Sequence, residues 1–332
     1  MTKILIGALA LMLSTTSVIA EVQERTVRLG YGLNEDSNQG RAVNFFAEEV
    51  ARLSEGKITV KGFGAAALGS DVQMQAALAG GAQEMMIGST ATLVGTAPAF
   101  AAWDIPFLFA NEAEADAVLD GPAGTMVIDT LPEHGLVGLV YWENGFRNLT
   151  NNKQPIVTAE DLTGVKLRVM QNQVYLDTFL AAGANAVPMP FSELFTALET
   201  GAVDGQENPF STILSSKFYE VQKYLTITNH VYSPWIVLVS KTWWDGLSAE
   251  EQKIMMDAAV ASRAFEREDT RAGSSNALED LKGLGMEVTT MAPEEIQKLR
   301  DIAAPISQGV IDTLDATVWA TVESELAKVR GQ

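Results

Sequence analysis

Apolar strand-like runs alternate with amphipathic helix-like runs along most of the chain, the mark of an α/β fold built from βαβ units around mostly parallel sheets. A length of 332 residues suits two such domains better than one. Thr26–Gly32 reads as the first strand. After a polar turn, Val43, Phe46, Ala47, Val50 and Leu53 recur at three- and four-residue spacing and define a helix with one buried stripe. Gly56 stops that helix, and Ile58–Phe63 returns as a strand. A helix over Val72–Leu78 then leads to a strand near Met85–Gly88.

The second half repeats the pattern. Leu136–Tyr141 and Val165–Met170 are apolar strands, and Val174–Ala182 is a helix leading to a strand at Ala184–Val187. Ser192 is placed to cap a helix carrying Leu194, Phe195 and Leu198 on one face, ended by Gly201. Tyr224–Thr228 and Trp235–Ser240 follow as strands, the latter apolar enough to be central. Ser248, with Glu251 three residues on, forms a capping-box signature for a helix running to about Leu284. No repeat, low-complexity tract or flexible linker separates the domains, so strands and a helix are expected to join them.

Residues 1–20 read as a secretory signal peptide. Lys3 supplies the positive start, ILIGALALML (4–13) the apolar core, and Val18-Ile19-Ala20 the cleavage site. The apolar run is short of the roughly 20 residues that a membrane helix needs. The mature chain is therefore expected to begin near Glu21, to be exported to the periplasm and to be soluble. Without cysteine it has no disulfide, thiolate nucleophile or zinc–thiolate site, and must rely on a large core. Its net charge of −19 becomes more negative on losing Lys3. Nucleic acid and anionic lipid surfaces would be repelled, and an anionic ligand would need a local cluster of arginines.

Catalytic constellations are sparse. The two histidines, His134 and His230, stand in no metal-ligand spacing and near no nucleophile elbow. No phosphate-cradling loop or dinucleotide fingerprint appears, so no cofactor or metal is expected. Three polar residues are conspicuous instead. Arg168 lies within the strand KLRVM (166–170), where a charge is costly unless paired. Arg147 lies in YWENGFRNLT (141–150), after an aromatic strand, and Asn208 lies in DGQENP (204–209) before a proline. Each has a structural alternative: an internal salt bridge for the arginines, a chain turn for Asn208.

Around these residues run DIPFLF (104–109), LDGP (119–122), YWENGFRNLTN (141–151), DLTGVKLRVMQ (161–171), VPMPFSELFTALETGAVDGQENP (187–209), KFYEVQKYLTITNHVYSP (217–234) and the pair Trp243-Trp244. Through them the chain resembles, over essentially its whole mature length, the DctP-type substrate-binding proteins of tripartite ATP-independent periplasmic (TRAP) transporters. The resemblance implies a two-domain periplasmic-binding-protein architecture with a central ligand cleft and a long domain-spanning helix. Residues 21–146 plus 234–273 would form the first domain, and 147–233 plus 274–332 the second with the C-terminal helices. It implies that Arg168 forms the main salt bridge to a ligand carboxylate, that Arg147 and Asn208 assist, and that Phe191 packs on the ligand. Asp71, Ser89 and Thr90 would face the cleft from the first domain, with Ser89 standing where some members carry a carboxylate. Gly32 would leave room where others place a polar side chain, and Trp235 is a pocket wall or a core residue. The expected ligand is a small organic acid anion: a sugar acid or other hydroxylated monocarboxylate first, a C4-dicarboxylate second, an aromatic or keto acid third. The expected partners are the TRAP membrane permease subunits. A periplasmic enzyme or a sensory binding protein on the same fold are the rival classes.

Overall fold

The computed structural model describes residues 21–331; the expected signal segment lies outside the described residues. The chain opens with β1 (Arg25–Tyr31), α1 (Asn38–Leu53), β2 (Ile58–Phe63), α2 (Asp71–Ala79) and β3 (Met85–Ser89). Two short helices, α3 (Glu112–Leu119) and α4 (Pro122–Ile128), precede the long strand β4 (Leu136–Phe146). Next come β5 (Asn148–Asn151), β6 (Lys166–Val169), α5 (Gln173–Ala181), β7 (Asn185–Pro188), α6 (Phe191–Glu199), β8 (Gly205–Asn208), α7 (Phe210–Ser215) and β9 (Tyr224–Ile227). The chain closes with β10 (Tyr232–Ser240), α8 (Lys241–Trp244), α9 (Ala249–Gly283), β11 (Glu287–Thr290), α10 (Pro293–Ile311) and α11 (Ala316–Arg330).

Two sheets divide these strands between two lobes. The first has the order β2-β1-β3-β10-β4, the second β11-β9-β5-β8-β6-β7. The βαβ units are parallel as expected, but β10 runs antiparallel to both its neighbours, and β5 to both of its own. β10 is buried on both faces. Trp235, Val237 and Val239 point to the layer of α1 and α9, while Ile236 and Leu238 point to that of α2 to α4. The predicted stripe of α1 lies on the first of these layers, with Val43, Phe46 and Val50 buried in the core.

Besides the turn from α10 to α11, three connections tie the lobes together. β4 passes into β5 at Arg147, the chain returns from β9 to β10 over residues 228–231, and α9 packs against α1 at one end and α7 at the other. Ser248 caps α9 with the expected capping box. Along that helix, Arg263, Arg267 and Arg271, spaced by four, reach Asp120, Asp116 and Glu143. This ion-pair row fastens α9 to α3 and to β4.

Two local expectations differ. Ser192 does not cap α6; the helix starts at Phe191 with the extended Pro190 as N-cap, which puts Ser192 inside the first turn. And α11, grouped by sequence with the second domain, packs through Val318, Val322 and Leu326 onto the first lobe beside α3 and α4. Helix α10 stays with the second lobe, against α5.

Candidate ligand-binding site

The carboxyl ends of β1, β3, β6, β7 and β8 converge on a cavity between the lobes, the place where open α/β sheets bind ligands. From the first lobe, Gly32, Asp71, Ser89 and Trp235 line it; from the second, Arg168, Phe191 and Asn208, with Arg147 at the crossover. Seven of the eight expected residues thus meet in one place. Thr90 does not. It follows Ser89 at the end of β3 and faces the other way, fully buried, with its hydroxyl donating to Pro234 O at 3.2 Å. Trp235 is both cavity wall and core residue.

Arg168 is held by its neighbours in a geometry that leaves one end unused. Its Nε and Nη2 both donate to Met189 O, at 2.9 and 2.7 Å, and its Nη1 is buried with no partner among the described residues. Burial pulls the guanidinium down to about 10, with Glu207 and Asp71 opposing and Arg147 adding to the fall, so it stays charged at neutral pH. Arg147 also has a buried Nη1 with no partner among the described residues, but its charge is met. It is fully buried and paired bidentately with Glu207, through Nε to Oε2 and Nη2 to Oε1 (2.8 Å for the latter). Burial favours the neutral Glu207, but Arg147 and His230 outweigh it and hold the carboxyl below its usual range.

His230 does not line the cavity; it belongs to this buried network. Its Nε2 lies 3.1 Å from Glu207 Oε2 and its Nδ1 lies 2.8 Å from Thr228 Oγ1. The carboxylate favours the proton on Nε2, with Nδ1 accepting from Thr228. His134 sits in a short surface turn beside Glu133.

The opposite wall carries a carboxylate after all, although Ser89 does not supply it. Asp71, the first residue of α2, accepts the Ser89 N–H at 2.9 Å through Oδ2. Burial pushes its carboxyl up, against Ser89 N–H and Arg168. A side chain at Gly32 would begin 3.8 Å from Asp71 Oδ1 and 4.0 Å from Phe191, so its absence keeps this part of the cavity open.

Several lining residues escaped sequence reasoning: Gln39, Thr92, Asn144, Met170, Gln171, Met189, Pro190 and Thr212. Only the folded topology brings their strand ends and helix starts together. Gln39 spends its Oε1 on Leu33 N–H, and Thr212 donates to Asn144 Oδ1 at 2.9 Å. Glu207 was also missed, although asking what neutralises two arginines in or beside strands would have pointed to the carboxylate within GQENP.

At the rear of the cavity Asn172 caps α5 with its oxygen and donates its amide to Ala91 O and Asp104 Oδ2, both at 2.8 Å, across the lobes. Burial drives Asp104 up to about 8, opposed by Asn172 and Arg147 and supported by Glu207. A carboxyl raised above its unfolded value contributes stability that is complete below about pH 4 and is lost as pH rises through about 8. Melting temperature is therefore expected to fall from pH 5 to pH 9, with on the order of a few kcal/mol at stake. Asp104→Asn should flatten that slope in part, since Glu266, also raised to about 8 by burial, contributes with the same sign. An unchanged slope in this variant would show that Asp104 is ionised in the folded protein.

Two α/β lobes joined by crossing strands, with an arginine-walled cavity between them, define a solute-binding protein. The chain belongs to family 7 of the bacterial extracellular solute-binding proteins, the DctP family, which it matches over residues 29–313. It is similar to the 2,3-diketo-L-gulonate-binding periplasmic protein of Escherichia coli, with 35% identity over 83% of each chain. It is also similar to the C4-dicarboxylate-binding periplasmic protein of Rhodobacter capsulatus, with 30% identity over 98% of this chain and 97% of the other. Among solved structures, the sugar acid binding protein of Advenella mimigardefordensis in complex with galactonate superposes with a TM-score of 0.90 at 50% identity, covering 92% of this chain and 99% of that one.

Proposed function

We propose that this protein binds a hydroxylated monocarboxylate of the sugar-acid class, without turning it over, and delivers it to a TRAP membrane permease. Arg168 takes the carboxylate with Arg147 beside it, Asn208 lines the same wall, and Phe191 and Trp235 form the apolar sides. Asp71 and Ser89 meet hydroxyl groups from the first lobe. Contacts to both lobes favour the form in which the cavity is closed around the ligand. Residues 1–20 direct export and are removed, so that the protein works in the periplasm.

The observation that carries this reading is the state of Arg168: a buried, charged guanidinium with a free donor at the cavity wall, facing a lobe that supplies no second cation. A planar guanidinium suits a carboxylate, and the burial of Arg168 strengthens the pair. The same observation ranks the ligands. Arg147 is neutralised by Glu207, and the first-lobe wall offers the Asp71 carboxyl, which a second ligand carboxylate would have to approach. A hydroxyl, which can donate to Asp71, suits that wall better. The galactonate complex of the 50% identical relative agrees with this choice.

The test is a thermal-shift and calorimetric screen of unfolded-and-refolded residues 21–332 against galactonate, galacturonate, succinate and pyruvate. A sugar acid at about 100 times its dissociation constant should add roughly 2.7 kcal/mol of stability. Succinate binding more tightly than every sugar acid would replace the monocarboxylate reading, and ligand consumed with product formed would make the protein an enzyme.

A further inference from the structure

A chain of four buried side chains runs from the edge of the second lobe to the cavity. Gln222, in the loop before β9, donates through Nε2 to Val221 O at 2.9 Å and to Asp204 O at 3.4 Å. Backbone carbonyls only accept, so the orientation of this amide is fixed. Its Oε1 then points at Thr150 Oγ1, 2.9 Å away, and must receive that hydroxyl's proton. Thr150, its proton spent, accepts from Gln206 Nε2 at 2.9 Å. Gln206 Oε1 in turn accepts from Asn208 Nδ2. The strand pairing makes this possible. Thr150 of β5 lies opposite Gln206 of β8, and Asn208, two residues on, shares its face, while Glu207 points to the other face and pairs with Arg147.

Every step is thereby directional. Reversing the Asn208 amide would set its oxygen against Gln206 Oε1. Relieving that clash by reversing the others would end with Gln222 Oε1 against two carbonyl oxygens. Thr150, Gln206, Gln222 and Asn208 are at most 3% exposed, so water cannot absorb the mismatch.

We infer that Gln222, Thr150 and Gln206 are positioning residues that hold the Asn208 amide in one orientation, leaving its Oδ1 to accept a hydrogen bond from a ligand hydroxyl. Among the described residues Oδ1 has no donor, and Asn208 lines the cavity. Asn208 then discriminates: a hydroxylated acid satisfies this acceptor, and a hydroxyl-free acid of the same length leaves it unpaired. The inference deepens the sugar-acid reading and rests on it for the ligand, although the amide orientation stands by itself.

The test compares wild type, Thr150→Val, Thr150→Ser and Arg168→Ala. Valine keeps the shape of threonine and removes the hydroxyl through which the orientation passes; serine restores it. Calorimetry with galactonate and hexanoate, the same six-carbon acid with and without hydroxyls, gives a selectivity ratio for each variant. Thr150→Val should weaken galactonate about tenfold while leaving hexanoate within about twofold, and Thr150→Ser should recover the wild-type ratio. A parallel loss for both acids, or an unchanged ratio, would overturn the inference and leave carboxylate capture standing. Retained binding in Arg168→Ala would instead remove the carboxylate reading. If neither acid binds, amide-resolved NMR of the ligand-free protein decides. The Asn208 side-chain NH2 signals must shift in Thr150→Val and return in Thr150→Ser, and unmoved signals would overturn the relay.

Discussion

Arg168→Ala is expected to weaken ligand binding by about 30-fold to several thousand-fold, the result of truncating one partner of a buried charged pair at a cost of about 2–5 kcal/mol. The ligand-free variant should be no less stable than wild type. In the free protein, Arg168 is a desolvated cation near Arg147, whose two bonds to Met189 O only partly offset its burial. Affinity and stability should therefore move in opposite directions, as expected where a site is maintained at the expense of the fold. Arg168→Lys should recover little, because an ammonium cannot both engage Met189 O in the forked manner and present a further donor to a carboxylate. Calorimetry and chemical denaturation on the same samples separate the two effects. Wild-type affinity in a folded Arg168→Ala would end the carboxylate-capture reading.

Glu207→Ala should be the most destabilising change in the site, by about 3–5 kcal/mol, since it leaves the buried Arg147 without a counter-charge. Arg147→Ala should cost less, although it breaks the same pair. In that variant Glu207 keeps its contact with His230 Nε2 at 3.1 Å, whereas among the described residues no other carboxylate pairs with Arg147 once Glu207 is gone. Urea denaturation of both variants tests this asymmetry; equal losses would show that the contact with His230 gives no compensation.

What the sequence made legible follows from the range of each interaction. The stripe of α1, the stop at Gly56 and the capping box of α9 are local signals, and all appear where the spacing put them. β5 and β8 were not anticipated, because NLTN and GQEN carry no apolar alternation; their polar side chains are buried against one another and against Arg147. The antiparallel insertion of β10 was equally invisible, since strand direction is decided by contacts between residues far apart in sequence. Arg168 stood out because a charge inside an apolar strand requires a purpose. Glu207 did not, being one of many carboxylates in an acidic chain. Thr90 was placed in the cleft with Ser89, but the chain leaves β3 for a short 3-10 helix at Thr90, whose hydroxyl is spent on Pro234 O.

The position of β10 has a bearing on how the molecule comes into being. The first lobe needs a strand from residues 232–240 between β3 and β4, and its helix layers need α9 and α11. A polypeptide emerging from its N-terminus, whether from a ribosome or from a translocation pore, therefore holds no complete lobe until residue 240 has appeared. Such distant pairings slow folding, because loop closure must be met before any contact rewards it. The interleaved topology thus sets an order of events: neither lobe can complete its sheet and helix layers before the late segments of the chain are present.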